Sequence, residues 1–152
     1  MVMGEGSHFF VLSNEKTPSS YSELLAVRTF NTISKDRLNQ KINRFLESQQ
    51  VSIEDIDLII LGNNGDINFD DYYKQLTTGI FANTAQAYYK HLSGDFDTAS
   101  GFAFWLANKI LKTQHIPDVV KLNAIESSNL KTILIYNQYR GENHSLTLIR
   151  KC

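Results

Sequence analysis

This sequence of 152 residues is poor in several things, and each shortage closes off a class of protein. Cysteine occurs once, as Cys152. A single thiol cannot form an intramolecular disulfide, and a terminus that frays is a poor place for a nucleophile or metal ligand. Excess charge of one sign is missing: 15 Lys and Arg against 16 Asp and Glu leave a net charge of −1. There is then no electrostatic case for nucleic acid or an anionic membrane as partner. No apolar run approaches the roughly 20 residues needed to span a bilayer. The opening MVMGEGSHFFVL lacks both a basic n-region and a long apolar h-region, so it does not read as a secretory signal. The expected location is cytoplasmic. Repeats, low-complexity tracts and linkers are also missing, and one domain over residues 1–152 is expected. Hydrophobic residues at 42% and charged residues at 20% are ordinary for a soluble chain long enough to bury one core.

What is there concentrates in residues 88–111, YYKHLSGDFDTASGFAFWLANKIL. The first half is polar and turn-prone, with Gly94, Asp95, Asp97 and Thr98 where helix caps belong. The second half, residues 99–111, is apolar around almost the whole circumference of a helix. That pattern predicts a central helix buried on all sides, whose N-terminus is delivered by a Gly-Asp turn. Helix N-termini suit ligands and negative charge.

The remaining chain alternates strands and helices. Residues 8–12 (HFFVL) and 23–30 (ELLAVRTF) read as strands, joined by a hairpin loop, SNEKTPSS. Ser34 caps an amphipathic helix to about Ser48, with Leu38, Ile42, Phe45 and Leu46 on one face. Residues 56–61 (IDLIIL) form a continuous apolar run suited to a central strand covered on both faces. A turn cluster, GNNGD at 62–66, leads to a helix over about 70–80. Residues 86–89 read as a short strand. Two further strands, 132–136 and 145–149, are joined by NQYRGENH. The order β-β-α-β-α-β-α-β-β predicts a mixed α/β sheet. Ligands in such sheets sit at the carboxyl ends of strands, which points to residues 62–66, 93–97 and 137–143.

Local chemistry is sparse. Residues 66–71 (DINFDD) start like a calcium loop, but Asp71 stands where glycine is required and Thr77 where a bidentate Glu is required; a capped helix start explains them better. His8, His91, His115 and His144 have no metal-ligand spacing. Ser100 lies inside the apolar helix, outside any nucleophile-elbow context. No metal and no cofactor is expected, and the residues alone give no catalytic set.

The order of the motifs resembles the C-terminal half of a β-ketoacyl-acyl-carrier-protein synthase, of the thiolase superfamily, over nearly the whole chain. Gly4-Glu5-Gly6 before an apolar strand looks like the Gly-Glu-Gly that opens that half. Ile56-Asp57-Leu58-Ile59 looks like the strand leading to the first catalytic histidine. Lys90-His91-Leu92-Ser93-Gly94-Asp95 is similar to Lys-x-x-x-Gly-His, and Thr98-Ala99-Ser100-Gly101 to its Gly-Ala-Ala-Gly tail. Asn137-Gln138-Tyr139 and Gly141-Glu142-Asn143, around Arg140, resemble a shortened gate loop. The resemblance implies a thiolase-like half: a five-stranded mixed sheet with helices on both faces and a buried central helix.

The departures shape the functional expectation. In the family, an N-terminal cysteine carries the acyl chain, and two histidines of this half donate hydrogen bonds to the thioester oxygen. Here the first histidine position falls on Gly62 or Asn63 and the second on Asp95, while the family lysine is present as Lys90. No intact catalytic set is therefore expected, and the nucleophile half has no counterpart in this sequence. Such losses resemble the non-catalytic chain-length factors of type II polyketide, aryl-polyene or flexirubin systems, which pair with an active synthase and shape the acyl tunnel. The implied partners are a catalytic ketosynthase or a second copy, meeting through the central helix layer, and an acyl carrier protein. The alternatives are part of a divergent but active 3-oxoacyl-carrier-protein synthase, and a free-standing α/β binding module.

Overall fold

The computed structural model describes residues 2–152. Its regular elements are β1 (Ser22–Asn31), α1 (Lys35–Glu47), β2 (Leu58–Leu61), α2 (Asp71–Thr78), β3 (Ala85–Tyr88), α3 (Lys90–Ser93), α4 (Ser100–Thr113), β4 (Thr132–Tyr139) and β5 (Asn143–Lys151). The five strands form one sheet in the order β1-β5-β4-β2-β3. β2 runs parallel to β3 and β4, while β5 runs antiparallel to β4 and β1. The expected mixed sheet of five strands with helices on both faces is what the chain builds.

The alternation of side chains along the central strands sorts the core into two layers. Leu58, Ile60, Ile133 and Ile135 point to one face, where Ala103, Leu106, Ala107, Ile110 and Leu111 of α4 cover them. Ile59, Leu61, Leu134 and Tyr136 point to the other, against Leu38, Ile42, Phe45 and Leu46 of α1 and Tyr73 and Leu76 of α2. The unbroken LIIL of β2 is thereby fully buried on both sides, as a central parallel strand requires. No helix among the described residues is long and apolar enough to cross a membrane.

Four expectations are corrected. Residues 8–12 are not a strand: they carry no regular structure, because no sheet edge lies beside them. The stretch 13–20 consequently connects an extended strap to β1 and is not a hairpin loop. The central helix is not buried all round. Phe102 and Phe104 are half-buried and Trp105 is 43% exposed, because α4 has the sheet on one side only. The strap gives partial cover to this outer flank: the Phe10 ring meets Phe104 edge-on at 4.9 Å, and His8 lies where a Cβ on Gly101 would be. The N-terminus of α4 is also built differently from the expectation. Its N-cap is Ala99, without a side-chain cap bond, and Asp95 is used elsewhere.

Candidate functional site

Because β2, β3 and β4 are parallel, their carboxyl ends come together at one edge of the sheet. The next residue of each strand that points toward α4 is Gly62 after Ile60, Tyr89 after Ala87, and Asn137 after Ile135. A side chain on Gly62 would collide with the amide of Asn137, so glycine there makes room for that amide. The Tyr89 hydroxyl donates to Asn137 Oδ1 at 3.3 Å. Burial, and then the nearby Asp95 carboxylate, push the Tyr89 phenol well above its ordinary pKa, so it stays neutral.

Beyond Tyr89, the single turn α3 swings the chain back and delivers Asp95 opposite Lys90. Gly94, at φ +76°, makes the reversal that a residue with Cβ resists. Lys90 Nζ lies 2.7 Å from Asp95 Oδ1, with side chains 3% and 8% exposed. Asn64 Nδ2 donates to Asp95 Oδ2 at 2.8 Å. Both carboxylate oxygens therefore have partners, as a buried charge needs. The turn carrying Asn64 is itself fastened: Asp70 Oδ2 accepts from Gly65 N at 2.9 Å, and Asn64 Oδ1 accepts from Asp66 N at 3.0 Å. Burial holds the Asp70 carboxyl above its usual range.

The backbone of Asp95 is clamped from outside. Asp95 N donates to Val2 O at 2.8 Å, and Gly4 N donates to Asp95 O at 3.3 Å. Gly4 and Gly94 cross so closely that neither tolerates a Cβ. Gly4 of the Gly4-Glu5-Gly6 stretch thus serves to seat this segment on Asp95.

Of the residues singled out in the sequence, the structure brings Gly62, Lys90, Asp95 and Asn137 together. Asn63 is not among them. It points to the α2 side, where its Oδ1 is buried without a partner. The side chain that meets Asp95 belongs to Asn64, one residue later, which the sequence reading missed; the turn after β2 rotates 64, not 63, toward α3. Tyr89 was missed as a site residue too, being counted only as strand. The rest of the anticipated gate loop is a tight hairpin end. Arg140 and Gly141 both have positive φ, and Glu142 N donates to Tyr139 O at 3.0 Å, the pattern of a type I′ turn. Tyr139, Arg140 and Asn143 are exposed there, while Gly141 packs on the Tyr72 ring on the other face.

No histidine reaches the cluster among the described residues. His91, next to Lys90, turns outward to Val119 O at 2.8 Å. His144 is buried on the α1–α2 face, with Tyr136 OH at 2.9 Å from Nδ1 and Gly141 O at 3.1 Å from Nε2. The carbonyl can only accept, so Nε2 carries the proton and Nδ1 accepts from Tyr136. Burial lowers the His144 pKa. No group of three metal-ligating side chains gathers among the described residues. The arrangement offers a neutral phenol, a buried ion pair and two amides.

Comparison with known proteins agrees with this architecture. No family profile and no curated protein matches the sequence. Among solved structures, the chain superposes on "The ishigamide ketosynthase/chain length factor" with a TM-score of 0.69 at 14% identity, covering 87% of this chain and 38% of that one. This is part of the ketosynthase fold. A type II polyketide synthase ketosynthase, solved in complex with its acyl-carrier protein and bound to the hexaketide, aligns with a TM-score of 0.64 at 18% identity, over 87% of this chain and 39% of that one. The chain therefore spans about two-fifths of the length of the ketosynthase structures it matches.

Proposed function

We propose that this chain is the C-terminal half of a ketosynthase-like protein of fatty acid or polyketide biosynthesis, and that it is a non-catalytic, chain-length-factor-like scaffold. It acts in the cytoplasm as one domain, beside a catalytic ketosynthase or a second copy and with an acyl carrier protein, in a pathway of the polyketide or aryl-polyene kind. The observation that carries this reading is the closed Lys90–Asp95–Asn64 cluster at the carboxyl ends of β2 and β3. A condensing site needs donors aimed at an oxygen that becomes negative during decarboxylation of a malonyl thioester. On this reading the Asp95 carboxylate stands in place of such a donor, and its oxygens already accept from Lys90 and Asn64. A developing enolate beside Asp95 would be repelled. Loss of even one oxyanion donor costs about 10²–10³ in rate.

The test is decarboxylation of malonyl-carrier protein. The expected result is turnover indistinguishable from a protein-free blank. Turnover well above the blank that disappears in Asp95→Ala would overturn the scaffold reading in favour of a divergent active synthase.

A further inference from the structure

Strand alternation builds a second polar spot, on the α2 face of the sheet. Ala85 and Ala87 of β3 turn toward α4, so Gln86 between them faces α2. Gln86 is 7% exposed. Its Nε2 donates to Thr77 O and Phe81 O, both at 2.9 Å. Both amide protons are thereby used, which fixes the orientation of the group and leaves Oε1 as its acceptor. No hydrogen bond reaches that oxygen among the described residues. Asn63, two residues beyond Leu61 on the same face, has its Oδ1 buried without a partner. Both side chains line one open cleft of about 420 Å³, a volume in the range of small-molecule sites. Buried acceptors are costly to leave unmade, and two in one cleft suit a ligand that brings N–H donors.

The rest of the lining carries charge and apolar surface at separate points. Lys74 of α2 is exposed, and its ammonium forms no ion pair among the described residues. Asp70 adds a carboxylate that accepts from Asn64 N and Gly65 N and keeps further lone pairs. Ile67, from the turn after β2, is 89% exposed, and Leu122, from the segment outside β3, is 40% exposed. Leu122 is held there by its N–H, which donates to Gln86 O at 2.8 Å. The cleft opens at the carboxyl ends of β2 and β3, where sheets of this kind take ligands.

We propose that this cleft binds a free α-amino acid with an apolar side chain. The ammonium group of the ligand donates to Gln86 Oε1 and to the Asp70 carboxylate. The Asn63 side chain, which no hydrogen bond holds among the described residues, turns its amide to the same group. The ligand carboxylate pairs with Lys74, and the ligand side chain lies against Ile67 and Leu122. Three parts of one small molecule thus answer three features of the lining. A plain anion would leave the amide acceptors unmade and would meet Asp70. A plain cation would meet Lys74. The lining includes neither Lys90 nor Asp95, so the site stands whether or not this half catalyses.

The test is an amide NMR titration of the full chain with L-leucine and L-phenylalanine. Two leucine analogues run beside them: isocaproate, which lacks the ammonium, and isoamylamine, which lacks the carboxylate. The variants are Lys74→Met, at an exposed position, and Asn63→Leu, which removes an unpaired acceptor and so keeps the fold. Unchanged far-UV circular dichroism verifies both. At least one of the amino acids is expected to give saturable shifts centred on Asn63, Lys74 and Gln86. Each analogue and each variant is expected to bind about tenfold more weakly or worse. No saturable shift with either amino acid at millimolar concentration, or shifts centred elsewhere, overturns the site. Isoamylamine or isocaproate binding as well as leucine reduces it to a cation or an anion site and overturns the amino-acid assignment. Undiminished binding by both variants overturns the contacts assigned to Lys74 and Asn63.

Discussion

The two faces of the sheet are covered to different degrees, and the difference separates what this chain finishes from what it leaves open. On the α1–α2 face, two helices and the β1–β5 strand pair enclose a continuous apolar layer. Two of its buried polar groups find partners within it: the Tyr73 hydroxyl donates to Gln138 O and accepts from Gln138 N, and His144 is satisfied at both nitrogens. On the α4 face a single helix covers the strands. Its outer flank keeps Phe102, Phe104 and Trp105 partly in water under a thin strap, and the edge of this face holds a buried ion pair. A closed face stabilises the fold. On the proposed reading, the open aromatic flank beside a buried charge pair is where the fold meets another polypeptide segment or copy.

The largest expected effect that sharpens this contrast is at the ion pair. Lys90→Met leaves the Asp95 carboxylate buried with only Asn64 for compensation, and should cost about 3–5 kcal/mol in chemical denaturation. The double variant Lys90→Met/Asp95→Leu should recover most of that loss, since removing both charges removes the desolvation penalty. A single variant within error of wild type would mean that water reaches the pair.

Next in size is a matched pair of truncations. Ile42→Ala on the closed face empties a fully buried site and should cost about 2–5 kcal/mol. Phe104→Ala on the open flank removes a half-buried ring and should cost well under half as much in the same dilute denaturation experiment. Equal losses would erase the distinction between the faces.

The smallest effect is a pH dependence confined to the closed face. His144 is neutral in the fold, and burial lowers its pKa below the usual 6.5 or so. Above that unfolded-state value the ring is neutral in both states and the fold has its full stability. As pH falls below it, the unfolded chain takes up a proton that the folded chain refuses, so stability declines toward the lowered folded-state pKa. An NMR titration should place the midpoint of the His144 ring below the ordinary histidine value. A midpoint at or above it would mean that the ring is hydrated.

Much of the fold was legible because it depends on local pattern. The i, i+4, i+7, i+8 spacing of Leu38, Ile42, Phe45 and Leu46 predicted α1 within a residue at either end. The unbroken apolar run of β2 identified a doubly covered strand. What failed depends on partners that no window contains. Residues 8–12 have strand composition, but a strand also needs a neighbour. The all-round apolar pattern of α4 matches burial on all sides, yet the described chain covers one side and part of another. At the site, Lys90, Asp95, Gly62 and Asn137 could be chosen from motif order. Asn64 could not be told from Asn63, because the side-chain direction after β2 depends on a turn fastened by Asp70, six residues away. Strand periodicity did carry the signal for Tyr89: two residues after Ala87, it had to face α4.

The claim that the α4 flank is an unfinished surface is tested most directly by sedimentation equilibrium of the wild type and of Trp105→Asp at micromolar concentration. Trp105 is largely outside the core, so the variant should keep the wild-type denaturation midpoint. The account predicts a wild type that associates and a Trp105→Asp variant that remains monomeric. A monomeric wild type, or a variant that associates equally well, would show that the chain covers this helix by itself and would contradict the account.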